Sequence, residues 1–241
     1  MPEVNTPRLP ALRQLVFLAE DLDATLEAAE RELGLRPPGV RDAEGMAKLG
    51  FVHEVRTIEN TFCEFTAPLA PDTMPGKLVA RRGDIGYMVV VQVADIDDTV
   101  RRAAAIGLAP VFTEPYEGHT ITQWHPRAFG TLAEFDQIRP ADTWHMAPQI
   151  YAHRNTDVVH DVTAVQIAVG DPAHVATTWS TVLGLDAPAG ATTLDLSGRR
   201  VSFVPVGVDA RQGLITVDLP AADPAEAGRI SRISGVDFRL V

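Results

Sequence analysis

The sequence predicts an α+β fold built from repeated β-α-β-β-β modules, and three observations support this prediction. An apolar strand that leads into an aspartate, followed by an amphipathic helix and a closing glycine, occurs three times in the 241 residues, and a shortened fourth copy follows. The first two copies are each followed by further strand-like segments. The second half repeats the plan with fewer strands, so its pair of modules is degenerate and truncated.

Each predicted helix begins at an aspartate whose side chain can accept hydrogen bonds from the first turn. These aspartates are Asp21, Asp95, Asp171 and Asp223, and a proline follows the last two, at Pro172 and Pro224. Apolar residues recur at helical spacing after the caps. The predicted ends are Gly34, Gly107, Gly184 and, in the fourth copy, Ser234 with Gly235.

The two strands after the first helix form a predicted hairpin, and its turn fixes which side chains share a face. Glu59 and Asn60 separate the strands and form a two-residue turn. This turn pairs Val55 with Glu64 and places His53 diagonally next to Glu64 on the same face. Glu64 lies inside an apolar run, where an unpartnered carboxylate would be costly to bury.

A second glutamate occupies the matching place in the second module. Strand segments 119–124 and 131–136 follow the second helix, and Glu134 lies in the last of them, again inside an apolar run. One such glutamate is explained by surface alternation. Two in equivalent places indicate a shared pocket, and they make Glu64 and Glu134 the candidate catalytic residues.

The modules divide the chain into three predicted segments. Residues 10–141 hold the first pair of modules, residues 142–160 form a connector without clear periodicity, and residues 161–241 hold the degenerate pair. The last module lacks strands that the others have, which leaves an exposed sheet edge. Self-association into a homodimer would cover that edge.

Composition narrows the class of partner. The net charge of −11 argues against a nucleic-acid partner. Apolar runs fall short of the ~20 residues that cross a bilayer, and no secretory leader precedes the first module. The single cysteine, Cys63, excludes an internal disulfide and fits a reducing compartment. We therefore expect a cytoplasmic protein that binds a small molecule and has no nucleic-acid partner, membrane partner or nucleotide cofactor.

Four segments carry a resemblance to a known superfamily. They read LRQLVFLAEDL at 12–22, NTFCEFTAP at 60–68, GYMVV at 86–90 and WHPRAFG at 124–130. The chain resembles the vicinal oxygen chelate superfamily, which includes glyoxalase I, methylmalonyl-CoA epimerase, extradiol dioxygenases and the fosfomycin and bleomycin resistance proteins. Residues 12–140 are similar to its glyoxalase-like domain proteins. The resemblance implies a glyoxalase-like fold whose paired modules form a U-shaped cleft.

The resemblance also implies a set of metal ligands, one from the first strand and one from the last strand of each module. The matching positions hold Gln14, Glu64, Met88 and Glu134. Met88 stands where a histidine is usual, and a thioether is a poor ligand for a hard divalent ion. From the strand pairing we infer that His53 supplies the missing nitrogen, so the predicted metal ligands are Gln14, Glu64, Glu134 and His53.

Two functions stay open at this point. With a divalent ion (Zn, Ni, Mn, Co or Fe), the resemblance implies lyase or isomerase chemistry on a small carbonyl or enediol substrate, with Glu134 as general base. Met88 favours the alternative, a metal-free binding or sequestration protein of the resistance type. The candidate substrate-binding residues are His53, Met88, His119 and Trp124. The sequence leaves open whether His119 lines the cleft or faces solvent, and whether Trp124 walls a pocket or belongs to the core.

Overall fold

In the computed structural model, which describes residues 7–116, 118–208 and 211–241, the helices and strands follow the predicted modules, except that the first module has two strands after its helices where three were predicted. The strands are β1 (Ala11–Leu18), β2 (Phe51–Thr57), β3 (Phe62–Pro68), β4 (Ile85–Gln92), β5 (Phe112–Tyr116), β6 (His119–Trp124), β7 (Leu132–Gln137), β8 (Ala164–Val169), β9 (Thr193–Asp195), β10 (Arg200–Pro205), β11 (Gly213–Leu219), β12 (Ile230–Ile233) and β13 (Val236–Leu240). The helices are α1 (Leu22–Leu33), α2 (Ala43–Lys48), α3 (Met74–Arg82), α4 (Ile96–Ala105), α5 (Pro126–Phe129) and α6 (Pro172–Leu183). The predicted α+β class is confirmed. Over these described ranges, no helix combines the length and hydropathy that a membrane span requires.

The three long predicted helices begin at the predicted caps. Asp21, Asp95 and Asp171 each accept a hydrogen bond from a backbone N–H of the first turn of α1, α4 and α6. Gly34 ends α1 with a φ of 69°. A Cβ at that position would lie 2.5 Å from Cγ2 of Val158, so both the backbone conformation and the close approach require glycine.

The predicted fourth helix is wrong. After Asp223 the chain forms only one 3₁₀ turn, Pro224–Glu226, and the following residues form β12. Exposed and buried side chains alternate along β12, which is the period of a strand. Ser234 and Gly235 have φ values of 47° and 73°, so they form the two-residue turn between β12 and β13 and do not end a helix.

The residues pack into two compact units that combine segments distant in sequence. Unit 1 contains the described residues of 1–13, 88–147 and 164–214, and unit 2 contains residues 14–87, 148–163 and 215–241. Each unit therefore joins one module of the first half to part of the second half. The predicted segments 10–141, 142–160 and 161–241 follow the order of the modules along the chain and stay a prediction.

In unit 2 the strands of the first module lie in the order β2-β3-β1. β2 and β3 are antiparallel, and β3 is parallel to β1, with Gln14 opposite Phe62. One face of this sheet holds an aromatic core, in which the ring of Phe17 lies 5.4 Å from that of Phe65 and 5.2 Å from that of Phe238. Because side chains alternate along a strand, Glu64 points to the other face from Phe65.

In unit 1 the strands of the second module lie in the order β5-β6-β7-β4. The strands of the third module lie in the order β8-β10-β9. Helix α6 contributes Trp179, which is fully buried against the rings of Phe129, Phe135 and Phe203. Phe135 points away from the face that carries Glu134, so this core supports β7 from behind.

Candidate functional site

The predicted hairpin register is confirmed in unit 2. The N–H of Ile58 donates to the carbonyl of Thr61 at 3.0 Å across the Glu59–Asn60 turn. Val55 pairs with Glu64, as predicted from the length of the turn. The strand pairing therefore brings His53 next to Glu64.

Gln14, His53 and Glu64 meet in one hydrogen-bonded group, which we call the Glu64 cluster. Gln14 Nε2 donates to Glu64 Oε2 at 2.7 Å, and His53 Nδ1 lies 2.6 Å from Glu64 Oε1. The three residues are only 7%, 5% and 7% exposed. Each carboxylate oxygen has a partner, which offsets the cost of taking the charge out of water.

The second nitrogen of His53 is also in a hydrogen bond. The backbone N–H of Asp42 donates to His53 Nε2 at 2.7 Å. The side chain of Asp42 accepts from the N–H of Gly45 and caps α2. The predicted role of His53 as a metal ligand would require one of its two bonds to break.

Glu134 occupies the equivalent place in unit 1. Met88 lies opposite Leu132, two residues before Glu134, just as Gln14 lies opposite Phe62, two residues before Glu64. Glu134 is 7% exposed, and its Oε2 accepts a hydrogen bond from Gln123 Nε2 at 2.8 Å. The amide partner in unit 1 therefore comes from the strand on the other side of the glutamate.

Sequence reasoning missed two buried residues beside Glu134. Asp136 is fully buried, and His145 Nε2 lies 2.9 Å from Asp136 Oδ2. Burial raises the pKa of the Asp136 carboxyl well above its ordinary value, and its hydrogen bond with Glu134 opposes this shift only in part. Asp136 could have been found, because a residue two positions from Glu134 shares its face. His145 lies in the predicted connector, which has no periodicity, so no sequence pattern placed it beside Asp136.

Asp136→Asn is expected to remove a pH-dependent loss of stability. Because the folded pKa of Asp136 is raised, the unfolded chain releases this proton at a lower pH than the folded protein does. The free energy of unfolding therefore falls as pH rises above about 4, the ordinary range of aspartate, towards the folded pKa. Urea unfolding measures the free energy of unfolding of both proteins at about pH 5 and about pH 8. The stability of the variant relative to the wild type should be higher at about pH 8. A difference between the two free energies that does not change with pH would contradict this.

The remaining predicted residues divide between the Glu134 face and the core. Met88 is buried on the Glu134 face by register, and His119 is half-buried on the same face as Gln123. Trp124 is fully buried, donates from Nε1 to Thr122 Oγ1 and packs on Phe129. The structure thus places Trp124 in the aromatic core of unit 1, not on the Glu134 face.

The donor set fits a divalent ion only in part. Gln14 and Glu64 lie side by side with oxygen atoms that hard ions prefer, whereas Met88 offers a thioether. Across residues 7–116, 118–208 and 211–241 there is no group of three or more His, Cys, Asp or Glu side chains that could hold a metal. The convergence of Gln14, Glu64 and Glu134 on one ion stays a prediction.

A groove of about 320 Å³ lies along β2 in unit 2. It is lined by Val55 and Thr57, by residues 38–41 and by part of segment 149–153. Gln14, His53 and Glu64 are not among its lining residues. The groove therefore lies beside the Glu64 cluster, because its lining residue Val55 pairs with Glu64, but the three cluster residues do not line it.

One solved structure supports the fold with a TM-score above 0.5, and two others are similar over a smaller part of the chain. No family model and no curated protein matches the chain. A hypothetical protein from Staphylococcus aureus is 12% identical, with a TM-score of 0.64 over 97% of this chain and 99% of that one. A hypothetical protein from Bacillus halodurans is 20% identical, with a TM-score of 0.49 over 55% of this chain and 96% of that one. Methylmalonyl-CoA epimerase from Mycobacterium tuberculosis is 22% identical, with a TM-score of 0.45 over 58% of this chain and 94% of that one.

Sequence identities as low as these support a conclusion about the fold and none about function. The evidence for the fold is the succession of modules: β1, α1, α2, β2 and β3 in the first, and β4, α4, β5, β6 and β7 in the second. In both modules the first strand is parallel to the last, and the strand before the last is antiparallel to it. This chain therefore has a glyoxalase-like fold.

Proposed function

We propose that this protein is a small-molecule enzyme of the glyoxalase-like type, which performs divalent-metal-assisted lyase or isomerase chemistry on a small carbonyl or enediol substrate. The observation that supports it is the Glu64 cluster. A sheet face that served only for packing would hold apolar residues at these positions. Ionisable groups buried together in this way are concentrated at functional sites.

Each residue of the candidate site has a separate role in the proposed reaction. Gln14, Glu64 and Glu134 would hold the divalent ion, which when bound polarises a substrate carbonyl. Gln14 and His53 fix the orientation of the Glu64 carboxylate. Gln123 fixes Glu134 through Oε2, and a carboxylate oxygen of Glu134 takes the proton from the carbon next to the carbonyl.

A second candidate function is metal-free binding or sequestration of a small molecule. Two observations favour it: Met88 stands at a ligand position, and both ring nitrogens of His53 are in hydrogen bonds. The two candidates differ in one measurable property, the dependence of the protein on a metal ion.

Removal of metal tests the proposal. We expect the purified protein to contain a divalent ion, and we expect EDTA to lower the melting temperature by about 5–10 °C, the effect of losing a ligand present at about 100 times its Kd. Glu64→Gln should abolish the EDTA effect because a neutral amide binds the ion more weakly. Metal content and chelator-dependent melting are the measurements.

Glu54→Gln is the matched control. Glu54 is 6% exposed, close to the 7% of Glu64, but it lies next to His53 in β2 on the other face, paired with Arg41 at 2.6 Å. This variant should keep the response to EDTA. A metal-free wild-type protein whose melting ignores EDTA would reject the metal-assisted function and support the binding function.

A further inference from the structure

His53 stands between two partners that determine where its proton lies. The partner of Nε2 is the backbone N–H of Asp42, at 2.7 Å, and the partner of Nδ1 is Glu64 Oε1, at 2.6 Å. A backbone amide can only donate, so Nε2 must be the acceptor and carries no proton. The proton of the neutral ring is therefore on Nδ1, where it is donated to Glu64.

The Asp42 amide is itself held in place. The side chain of Asp42 accepts from the N–H of Gly45 at 2.9 Å, and its carbonyl accepts from the N–H of Met46 at 3.1 Å. These bonds tie Asp42 to the first turn of α2. The neighbouring Arg41 is anchored to β2 by its ion pair with Glu54. The donor that faces Nε2 is thus held at the start of a helix by two hydrogen bonds of Asp42.

A metal ligand must present an unprotonated nitrogen to the ion. In His53 the only unprotonated nitrogen is Nε2, and its lone pair already accepts from Asp42. The other nitrogen carries the proton that Glu64 accepts. The geometry of unit 2 therefore gives His53 a different task from the one inferred from the sequence.

We propose that His53 is a positioning residue for Glu64, locked in the Nδ1–H tautomer by the Asp42 amide, and that it does not ligate a metal. Together with Gln14 it directs a donor at each oxygen of Glu64. The value of this positioning for catalysis rests on the proposed function, but the tautomer does not.

Nuclear magnetic resonance of the histidine rings tests the tautomer. In ¹⁵N-labelled full-length protein at about pH 8, above the range in which histidine usually takes a second proton, His53 should show a protonated Nδ1 and an unprotonated Nε2. His125 is an internal control with the opposite expectation, because its Nδ1 accepts from the N–H of Arg127 at 3.0 Å. The variants His53→Asn and His125→Asn identify the two sets of signals.

A His53 ring protonated at Nε2, or at both nitrogens, would overturn the proposal. Addition of Zn²⁺ to chelator-treated protein gives a second test. The Nε2 and Nδ1 signals of His53 should keep their pattern, whereas direct ligation would shift the bound nitrogen and reject the positioning role. If Zn²⁺ does not bind at all while the tautomer is as expected, the metal-assisted function fails and the tautomer assignment stands.

Two substitutions of His53 distinguish the effect of its N–H donor on stability from the effect of the size of its ring. His53→Asn retains an N–H close to the position of Nδ1, whereas His53→Leu retains none. We expect His53→Asn to melt within about 2 °C of the wild type and His53→Leu about 5 °C lower, because leucine leaves a buried oxygen of Glu64 without a donor. Equal melting temperatures for the two variants would contradict a donor role.

Discussion

Replacing Glu134 with glutamine is expected to lower turnover by about 10²–10⁴-fold while the fold stays intact, because an amide of the same size cannot take a proton. The new side chain can still accept the hydrogen bond from Gln123 Nε2, which wild-type Glu134 accepts at 2.8 Å. The measurement is solvent deuterium exchange at the carbon next to the carbonyl of small α-keto compounds, selected first by their effect on melting. Circular dichroism should show no change in the folded state.

Glu114→Gln provides the control for charge. Glu114 is exposed on β5 and lies opposite Ile121, on the same face of unit 1 as Glu134. The substitution removes one negative charge from that face and leaves the proposed base unchanged. The rate of exchange should therefore stay within about twofold of the wild type, a difference of about 0.4 kcal/mol in activation free energy. Undiminished exchange in Glu134→Gln would remove Glu134 from the mechanism.

Much of the fold was predictable because its signals are local. Asp21, Asp95 and Asp171 cap helices from within a single turn, and the Glu59–Asn60 turn fixes the register of β2 and β3. The same locality explains the error at the fourth helix. A serine followed by a glycine suits both the end of a helix and a two-residue hairpin turn. Only the pairing of β12 with β13 decides between them.

The site was predictable to the extent that it depends on strand pairing. The contact between His53 and Glu64 follows from the alternation of side chains and the length of one turn. Gln123 was missed although it lies directly opposite Glu134. Asp42 and His145 come from segments without periodicity, so no sequence pattern could place them beside His53 and Asp136. The tautomer of His53 depends on that loop contact, and the sequence therefore led to a ligand role.

Trp179→Ala is expected to destabilise the protein most among single substitutions in unit 1. The indole ring lies 5.7–5.8 Å from the rings of Phe129, Phe135 and Phe203, and its Nε1 donates to the carbonyl of Phe129 at 3.0 Å. Removal of a buried tryptophan costs about 3–5 kcal/mol, which lowers the melting temperature of a protein of this size by about 6–20 °C. Urea unfolding and thermal melting measure both quantities.

Two variants of the same helix separate packing from other effects. Thr177→Ala changes an exposed position of α6 and should alter the free energy of unfolding by less than about 0.5 kcal/mol. Trp179→Phe keeps an aromatic ring but loses the N–H, so its cost should lie between those of the two alanine variants. Because Phe135 supports β7 from behind Glu134, the cavity in Trp179→Ala should also loosen the strand that carries the proposed base. A melting temperature within about 2 °C of the wild type would mean that this aromatic core does not hold β7 in place.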